Sequence, residues 1–310
     1  PILAAHRRGF RLRPRLDRHS EELARFWHQG AWAAAYLALT QALLVTVLVL
    51  ANRVEGGVVA YQLGFTFFLL PHALVAIPVF TALFPGMARA ALAGDGPGYA
   101  DLVRRGVTTI TVLVLPASAA LVALAHPLAR LTLFGHGDDG VHQVALATAA
   151  FAPGLVPYGV FLLLTRAAYA RNDARLPAMV NLVATVIGIA GMIAVAMVLH
   201  GDARIAGLAA AHSMTYLVGS VVLAGMLRRD VSTPSGLVPL RTVAVAVAAA
   251  VGASIVMVLV ASRIDLDGRV GALVALVTAA GSGLVLYVAV ILGGGIGDPR
   301  RLLSGGPARG

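Results

Sequence analysis

Two histidines are the only ionisable side chains deep inside the long apolar runs of this sequence, His72 and His212. An imidazole can carry a proton, hold a polar ligand or bond a neighbouring helix. Because burying this group in an apolar layer costs free energy, each ring has to be paired, face a cavity or bind something. For His212, in the alanine-rich run 209–213, a hydrogen bond between helices is the open alternative. We identify both histidines as candidates for a substrate-translocation path.

Three prolines accompany His72 at intervals of seven residues: Pro71, Pro78 and Pro85. This interval returns each proline to nearly the same helix face, displaced by about 20°. Each proline frees a backbone carbonyl, which a membrane tolerates only where neighbouring helices, side chains or cavity water satisfy it. The pattern predicts a kinked helix that lines a cavity. The alternative is that the prolines bend the helix for packing and that His72 bonds a freed carbonyl.

Catalytic and metal-binding patterns receive little support. One external loop holds side chains that could bind a metal in principle: His126, His136, His142, Asp138 and Asp139. The run 136–140 is more typical of a flexible polar turn, so we expect no metal and no cofactor. The run 94–98 lacks the Lys and Ser/Thr of a phosphate loop, and no Ser–His–Asp set or carboxylate pair can be defended. A transporter, a channel or a membrane scaffold is therefore favoured over an enzyme.

Eight long apolar stretches must position these side chains. They cover residues 30–51, 58–85, 107–125, 143–165, 178–199, 205–227, 239–261 and 270–292. Each can cross a bilayer, because ~20 helical residues span the ~30 Å hydrocarbon layer. They lack the polar stripe of a soluble core helix and are apolar all round apart from scattered Gly, Ser and Thr. The sequence therefore predicts an all-α, polytopic membrane protein with about eight transmembrane helices.

The distribution of arginine predicts the orientation. All 24 basic residues are arginine, and nineteen lie in the N-terminal segment, in every second loop and in the tail, against five in the other loops. The positive-inside rule then places both ends of the chain in the cytoplasm. The net charge of +10 is accordingly a topology signal, and we expect no nucleic-acid partner because the arginines are dispersed at membrane edges.

The segment before the first span is more than a linker. Between Pro14 and Trp27, apolar residues recur near helical spacing among charged ones, which predicts an amphipathic helix on the inner membrane surface. Trp27 and Trp32 fall where an interfacial aromatic belt is expected. The chain begins with Pro1 rather than Met, so we expect a fragment with a segment missing upstream. The tail after residue 293 is rich in Gly, Pro and Arg and is typical of a linker.

Four segments resemble one family in the same order. Residues 168–177, AYARNDARLP, are similar to the cytoplasmic loop F-Y-A-x-x-D-T-R-T-P of the MurJ/MviN proteins, the lipid II flippases of peptidoglycan synthesis. Residues 128–137 resemble the family's L-x-x-L-x-F-x-x-G region. Residues 83–89 resemble its L-L-P-x-L-S-R span end, and residues 207–211 its G-L-A-x-A span start. The resemblance covers roughly residues 30–230.

The resemblance implies a two-lobe exporter fold of fourteen spans, in which two extra helices follow two six-helix lobes. This chain would then be a basic cytoplasmic segment (1–29), the second six-helix lobe (30–227), the two additional helices (228–292) and a cytoplasmic tail (293–310). The implied function is to move lipid II from the inner to the outer leaflet of the bacterial plasma membrane by alternating access. The implied partners are the lipid-linked peptidoglycan precursor, membrane lipids and the missing N-terminal lobe.

The resemblance also implies site residues. Alignment through Pro71 and Pro85 places Thr66 where better-known members have a cavity arginine, and His72 is a possible substitute. Arg166, Arg171 and Arg175 would lie at the cytoplasmic mouth and attract the entering headgroup, with positive-inside topology as the alternative. Gly188 and Met192 occupy positions where many members carry asparagines, which puts a sodium site there in doubt.

Two other functions remain open from the sequence. One is an exporter of the same superfamily that moves another polyprenyl-linked glycan or a cationic drug. The other is a membrane scaffold that does not transport and that recruits cell-wall or division proteins.

Overall fold

The computed structural model describes residues 21–133, 137–231, 237–238, 240–264 and 268–294. Within these ranges the chain folds into eleven α-helices joined by short loops. In chain order they are α1 (Glu21–Ala51), α2 (Gly57–Pro71), α3 (Ile77–Leu92), α4 (Gly96–Ala123), α5 (Ala125–Thr132), α6 (Asp138–Phe151), α7 (Leu155–Ala170), α8 (Arg175–Val198), α9 (Gly201–Val231), α10 (Leu240–Ala261) and α11 (Gly268–Gly293). A π-helical turn, His72–Ala76, joins α2 to α3, and a 3₁₀ turn, Ala152–Gly154, joins α6 to α7.

Eight helical stretches of the described chain are long and apolar enough to cross a membrane. Spans 1 to 8 are Gln29–Ala51, Gly57–Leu92, Gly96–Ala123, Asp138–Ala170, Arg175–Val198, Gly201–Arg229, Leu240–Ala261 and Arg269–Gly293. These spans occupy the eight predicted stretches, although several begin earlier or end later than predicted. The prediction of an all-α, polytopic chain is confirmed.

Two local predictions need correction. The run 136–140 is not simply a polar turn, because α6 begins at Asp138 and carries Asp138 and Asp139 in its first turn. Carboxylates at this position are stabilised by the positive end of the helix dipole. Before α6, the short helix α5 separates spans 3 and 4, where only a loop was expected. His136 lies outside the described residues.

The N-terminal segment is described only in part. Residues 14–20 of the predicted amphipathic helix lie outside the described ranges. Residues 21–27 belong to α1, which continues into span 1 without a break. The described part of this segment is therefore the beginning of the first long helix rather than a helix of its own.

Two groups of buried apolar side chains hold the helices together. The larger comes mainly from helices α1 to α9, and its bulkiest fully buried members include Tyr61, Phe68, Phe151 and Phe161. The smaller joins α4 to α10 and α11. Many outward-facing side chains are apolar too, and Leu74 and Met197 are each 76% exposed. A chain that is apolar both inside and outside suits a lipid environment.

Span 4 is broken where span 6 packs against it. Gly154 closes the 3₁₀ turn, and a Cβ added there would lie 2.5 Å from the Cβ of Ser213. The missing side chain lets α9 approach the turn closely. Ser213 then donates its hydroxyl to the Phe151 carbonyl at 3.1 Å. Because the 3₁₀ turn interrupts the regular helix at this point, a side chain from α9 satisfies a backbone acceptor there.

Side-chain contacts gather alternate loops at the two ends of the bundle. At one end, Gln143 donates to the Glu55 carbonyl at 3.2 Å and to the Asp202 carboxylate at 2.7 Å. The other end, which we call the basic end, holds Gln29, Tyr99, Asn172 and the arginines of the 171–175 loop. There Gln29 donates to the Asn172 carbonyl at 3.4 Å. Every second loop thus lies at the same end of the bundle, as expected when successive spans cross the membrane in opposite directions.

Candidate translocation site

Span 2 changes its helical pattern at the position of the predicted site. Pro71 precedes the π-helical turn His72–Ala76, and Pro78 follows it by two residues. In this turn the Ile77 amide donates to the His72 carbonyl, one residue further back than in an α-helix. Proline cannot donate to the helix and crowds the preceding turn, so a widened turn between two prolines relieves both constraints. Such π-turns are found frequently at functional sites.

His72 is the first residue of this turn and lies in the interior. Its side chain is 3% exposed, and its ring centroid lies 4.4 Å from that of Tyr158 on α7. Its Nδ1 is buried and has no hydrogen-bond partner among the residues that the structure describes. Gly159 lies opposite, and a Cβ added there would be 3.9 Å from Nδ1. The bond to a freed carbonyl that the sequence left open does not involve this nitrogen.

His212 is also buried, but both of its ring nitrogens are engaged. Nδ1 lies 2.5 Å from the Tyr61 hydroxyl on span 2, and Nε2 lies 3.2 Å from the Tyr216 hydroxyl on its own helix. A neutral imidazole has one donor and one acceptor, so one tyrosine donates to it while the other accepts. This arrangement fits the hydrogen bond between helices that the sequence offered as the alternative.

One aromatic cluster contains both histidines. Its central members are Tyr61, Phe65, Phe68, His72, Phe151, Tyr158, His212 and Tyr216, and further rings join at its edges. Tyr158 connects His72 to Tyr216, because its ring packs edge-on against Tyr216 at 4.5 Å and lies tilted against the His72 ring at 4.4 Å. The cluster joins spans 2, 4 and 6 in the interior. The sequence singled out the two histidines but missed the tyrosines, which come from three separate helices.

The Thr66 side chain faces away from the aromatic cluster, toward the surface of the protein. Its side chain is exposed, and its hydroxyl donates to the Gln62 carbonyl at 2.8 Å within the same helix. The Gln62 side chain is exposed one turn earlier on the same face. Thr66 is therefore not brought together with His72 and His212. Gln62 was missed from the sequence, although an amide four residues before Thr66 inside an apolar run was the available signal.

The three arginines expected at the cytoplasmic mouth make the same kind of contact. Each is exposed and lies over an aromatic ring: Arg166 over Phe80 at 5.7 Å, Arg171 over Tyr99 at 5.8 Å and Arg175 over Trp32 at 5.8 Å. These distances fall within the range of cation–π contacts. The guanidinium charges are thus held in place at the basic end without being buried.

The 171–175 loop has a defined turn structure. Asn172 has a φ of 59°, a left-handed conformation in which asparagine is enriched. Asp173 accepts from the Leu176 amide at 2.9 Å through its carboxylate, which satisfies a donor at the start of α8. The loop therefore presents Arg171 and Arg175 from a fixed turn.

The described residues among those considered for metal binding lie apart from one another or have other contacts. Within the described ranges, no three histidine, cysteine or carboxylate side chains come together as metal ligands would. Asp138 instead lies 3.5 Å from Arg130. Gly188, one of the two positions considered for sodium, packs against the Thr215 hydroxyl, and Met192 is fully buried. These positions are filled by close helix packing.

An apolar groove of about 670 Å³ lies between span 7 and spans 3, 4 and 6. Valine, leucine, alanine and proline form most of its wall, including Leu115, Val160, Val247 and Val251. Hydroxyl groups come from four side chains: Thr111, Ser118, Ser220 and Ser254. The groove can accept an extended apolar molecule, and it offers few hydrogen-bonding groups to a polar one.

Comparison with known proteins gives a consistent result. The family model described as "Lipid II flippase MurJ" matches residues 1–278. The probable lipid II flippase MurJ of Rhizobium meliloti (strain 1021) is 30% identical over 223 residues, which cover 71% of this chain and 40% of that protein. The lipid II flippase MurJ of Burkholderia cenocepacia is 30% identical over 132 residues, or 41% of this chain and 25% of that protein.

A solved structure supports the fold. "Lipid II flippase MurJ, inward closed conformation" superposes with a TM-score of 0.63 and 18% identity, and the match covers 82% of this chain and 51% of that one. The chain thus spans about half of that structure and less than half of the Rhizobium relative. The fold is shared over most of the chain. Since the family model also matches most of its residues, the chain belongs to the lipid II flippase MurJ family.

Proposed function

We propose that the chain is the second lobe, with two additional helices, of a lipid II flippase. Together with a first lobe, it would move the lipid-linked peptidoglycan precursor from the inner to the outer leaflet by alternating access. Family membership and the eight spans support this proposal. The named relatives do not favour the exporter of another polyprenyl-linked glycan or of a drug, or the membrane scaffold.

The apolar groove is the observation that carries the proposal. A lipid-linked disaccharide has a long polyprenyl tail that cannot follow its headgroup through a polar cavity. The groove lies beside span 7, one of the two additional helices, and its wall is almost wholly apolar. Such a wall stabilises a hydrocarbon chain through contact without demanding hydrogen bonds. The tail would lie there while the headgroup crosses.

The headgroup would begin its path at the basic end. Arg166, Arg171 and Arg175 are exposed and lie over aromatic rings, and from there they would attract a pyrophosphate through their positive charge. The planar guanidinium suits this group because it can form two parallel hydrogen bonds to phosphate oxygens. Thr66 and Gln62 would then line the membrane-depth surface that faces a first lobe. His72 and His212 would act behind that surface, from the interior.

We further propose the organisation of the chain in the plasma membrane. Residues 30–227 would form the lobe and 228–292 the additional helices, with 1–29 and 293–310 as cytoplasmic segments. The basic end would face the cytoplasm, since it gathers the arginine-rich loops. Partners would be the lipid-linked precursor, membrane lipids and the first lobe, and cell-wall or division proteins are further candidates.

The test is depletion of the intact protein in cells, followed by measurement of how much lipid II an external probe can reach. We expect outward-facing lipid II to fall while its synthesis inside the cell continues, and re-expression of the wild-type protein to restore it. The test requires a strain without a second flippase. Unchanged exposure of lipid II in that strain would contradict the proposal.

A further inference from the structure

Spans 7 and 8 contact the rest of the protein chiefly through α4. α10 packs along α4, and α11 packs on α10 and touches both α4 and the short helix α5. The shared core contains Val112 and Ala119 from α4 and small or aromatic residues such as Ala253 and Tyr287 from the additional helices. Among the described residues, the position of these two helices therefore depends mainly on α4, with a further contact from α11 to α5.

A proline in α4 creates a specific polar feature in that contact. Pro116 lies inside the helix and has no amide hydrogen, so the Val112 carbonyl, four residues earlier, loses its regular helical donor. In the apolar interior of a membrane an unsatisfied carbonyl is costly. The Tyr287 hydroxyl on α11 donates to this carbonyl at 2.8 Å, and both residues are buried. An aromatic side chain of span 8 thus completes the hydrogen bonding of span 3.

Further along α4, hydrogen bonds connect the helix to span 7 and to span 4. The Ser254 hydroxyl on span 7 donates to the Ala119 carbonyl at 3.2 Å. The neighbouring Ser118 hydroxyl donates to the Ala152 carbonyl in the broken part of span 4 at 2.5 Å. Ser118, Ala119 and Ser254 also line the apolar groove. These bonds therefore fix the distance between the walls of the groove.

We propose that Tyr287 is a positioning residue that sets the geometry of the apolar groove through the carbonyl freed by Pro116. The ring itself stays outside the groove. By anchoring α11, against which α10 packs, the Tyr287 hydroxyl holds span 7 at the spacing that a hydrocarbon tail needs. This inference rests on the proposed function, because it takes the groove to be the site of the polyprenyl tail.

The test compares two ligands on the purified full-length protein. One is lipid II with its natural long tail, and the other is a soluble analogue with the same headgroup and a short tail. For Tyr287→Phe, which removes only the hydroxyl, we expect a several-fold loss of affinity for the long-tailed ligand and no change for the short-tailed one. General destabilisation would weaken both. Ser282→Ala, which removes a hydroxyl bonded within α11, is the matched control and should change neither affinity.

A second variant links the effect to the freed carbonyl. Pro116→Ala returns an amide hydrogen that can bond Val112 within the helix, so Tyr287→Phe should have little further effect in that background. Because the hydroxyl then loses its partner, Pro116→Ala alone should lower the long-tailed affinity as Tyr287→Phe does, and the double variant should lose no more than either single variant. Since Pro116→Ala leaves the carbonyl satisfied, it tests the inference also if Tyr287→Phe alone does not fold. An equal loss in both backgrounds, an equal loss for both ligands or no loss at all overturns it.

The same measurements separate this inference from the proposed function. If the wild-type protein binds long- and short-tailed ligands equally, the groove does not hold the tail, and the role proposed for the groove fails together with that of Tyr287, while the depletion experiment still decides the flippase function. If the wild-type protein prefers the long tail and Tyr287→Phe keeps that preference, only the role of Tyr287 fails.

Discussion

His72 and His212 are the same residue type at similar burial, yet their surroundings differ. His212 connects two tyrosine hydroxyls from spans 2 and 6. His72, the first residue of the π-helical turn, lies with its ring tilted against Tyr158, and its Nδ1 has no partner among the described residues. The first arrangement stabilises packing between helices, whereas the second leaves a polar atom available for another role. We therefore expect the two histidines to respond differently to substitution.

Replacing His212 should lower stability more than replacing His72. His212→Phe removes two hydrogen bonds and leaves the Tyr61 and Tyr216 hydroxyls buried without a partner, at a cost of about 1 kcal/mol for each bond. His72→Phe removes no bond to Nδ1 and keeps a ring against Tyr158. Thermal unfolding of the purified protein measures both changes. A His212→Phe variant as stable as the wild type would show that these bonds do not hold spans 2 and 6 together.

The arginines of the 171–175 loop should affect transport rather than insertion. Neutralising Arg171 and Arg175 to glutamine should reduce lipid II flipping several-fold, because it removes charge from the proposed headgroup mouth. Lysine at both positions should restore only part of the rate, since it keeps the charge but loses the planar fork. Arg228→Gln with Arg229→Gln is the control, as it removes equal charge from the end of span 6. If the Arg171→Gln, Arg175→Gln variant inserts and flips lipid II normally, these arginines serve only to orient the chain in the membrane.

At the scale of the element, span 2 is distinguished by a regular helix that gives way to a π-helical turn between two prolines. Pro78→Ala supplies an amide hydrogen just after the turn and removes the ring that crowds it. We expect this variant to be as stable as the wild type or more stable, but to flip lipid II more slowly because the turn would become regular. Unfolding and flipping measured on the same preparation give the two values.

The control for Pro78→Ala is a proline that a helix tolerates. Pro97 lies in the first turn of α4, where a missing amide hydrogen costs little, so Pro97→Ala should leave flipping unchanged. A Pro78→Ala variant with a normal flipping rate would mean that the π-helical turn serves packing alone. That is the alternative interpretation of the three prolines.

The elements could be predicted because the apolar runs match the length a membrane requires, and the proline spacing indicated that span 2 is irregular. The features that depend on contacts between residues far apart in the sequence could not be predicted in this way. Tyr287 and Val112 are 175 residues apart in sequence, and only the packing of α11 on α4 brings them together. Arg204, one of the five arginines in the less basic loops, donates from its guanidinium to the Ala196 and Leu199 carbonyls at the end of α8, a contact that its place in the sequence did not indicate.

At the scale of the whole molecule, polar and apolar functions are separated in space. The basic end gathers arginines held over aromatic rings, the aromatic cluster fills the interior of spans 2, 4 and 6, and the apolar groove lies beside span 7. This separation matches the chemistry of a substrate with a charged headgroup and a hydrocarbon tail. Blocking the groove should therefore impair transport while the fold and the basic end stay intact.

Val247→Trp tests this separation. Val247 lines the groove and is 44% exposed, so a larger ring can enter the groove without disturbing the core. We expect a several-fold loss of lipid II flipping, measured by the external probe, with unchanged thermal unfolding. Val258→Trp, on an exposed position of the same helix outside the groove, should flip normally. If the two variants flip at the same rate, the groove is not used by the tail; if Val247→Trp alone is slow, the tail passes beside span 7 while the headgroup crosses elsewhere.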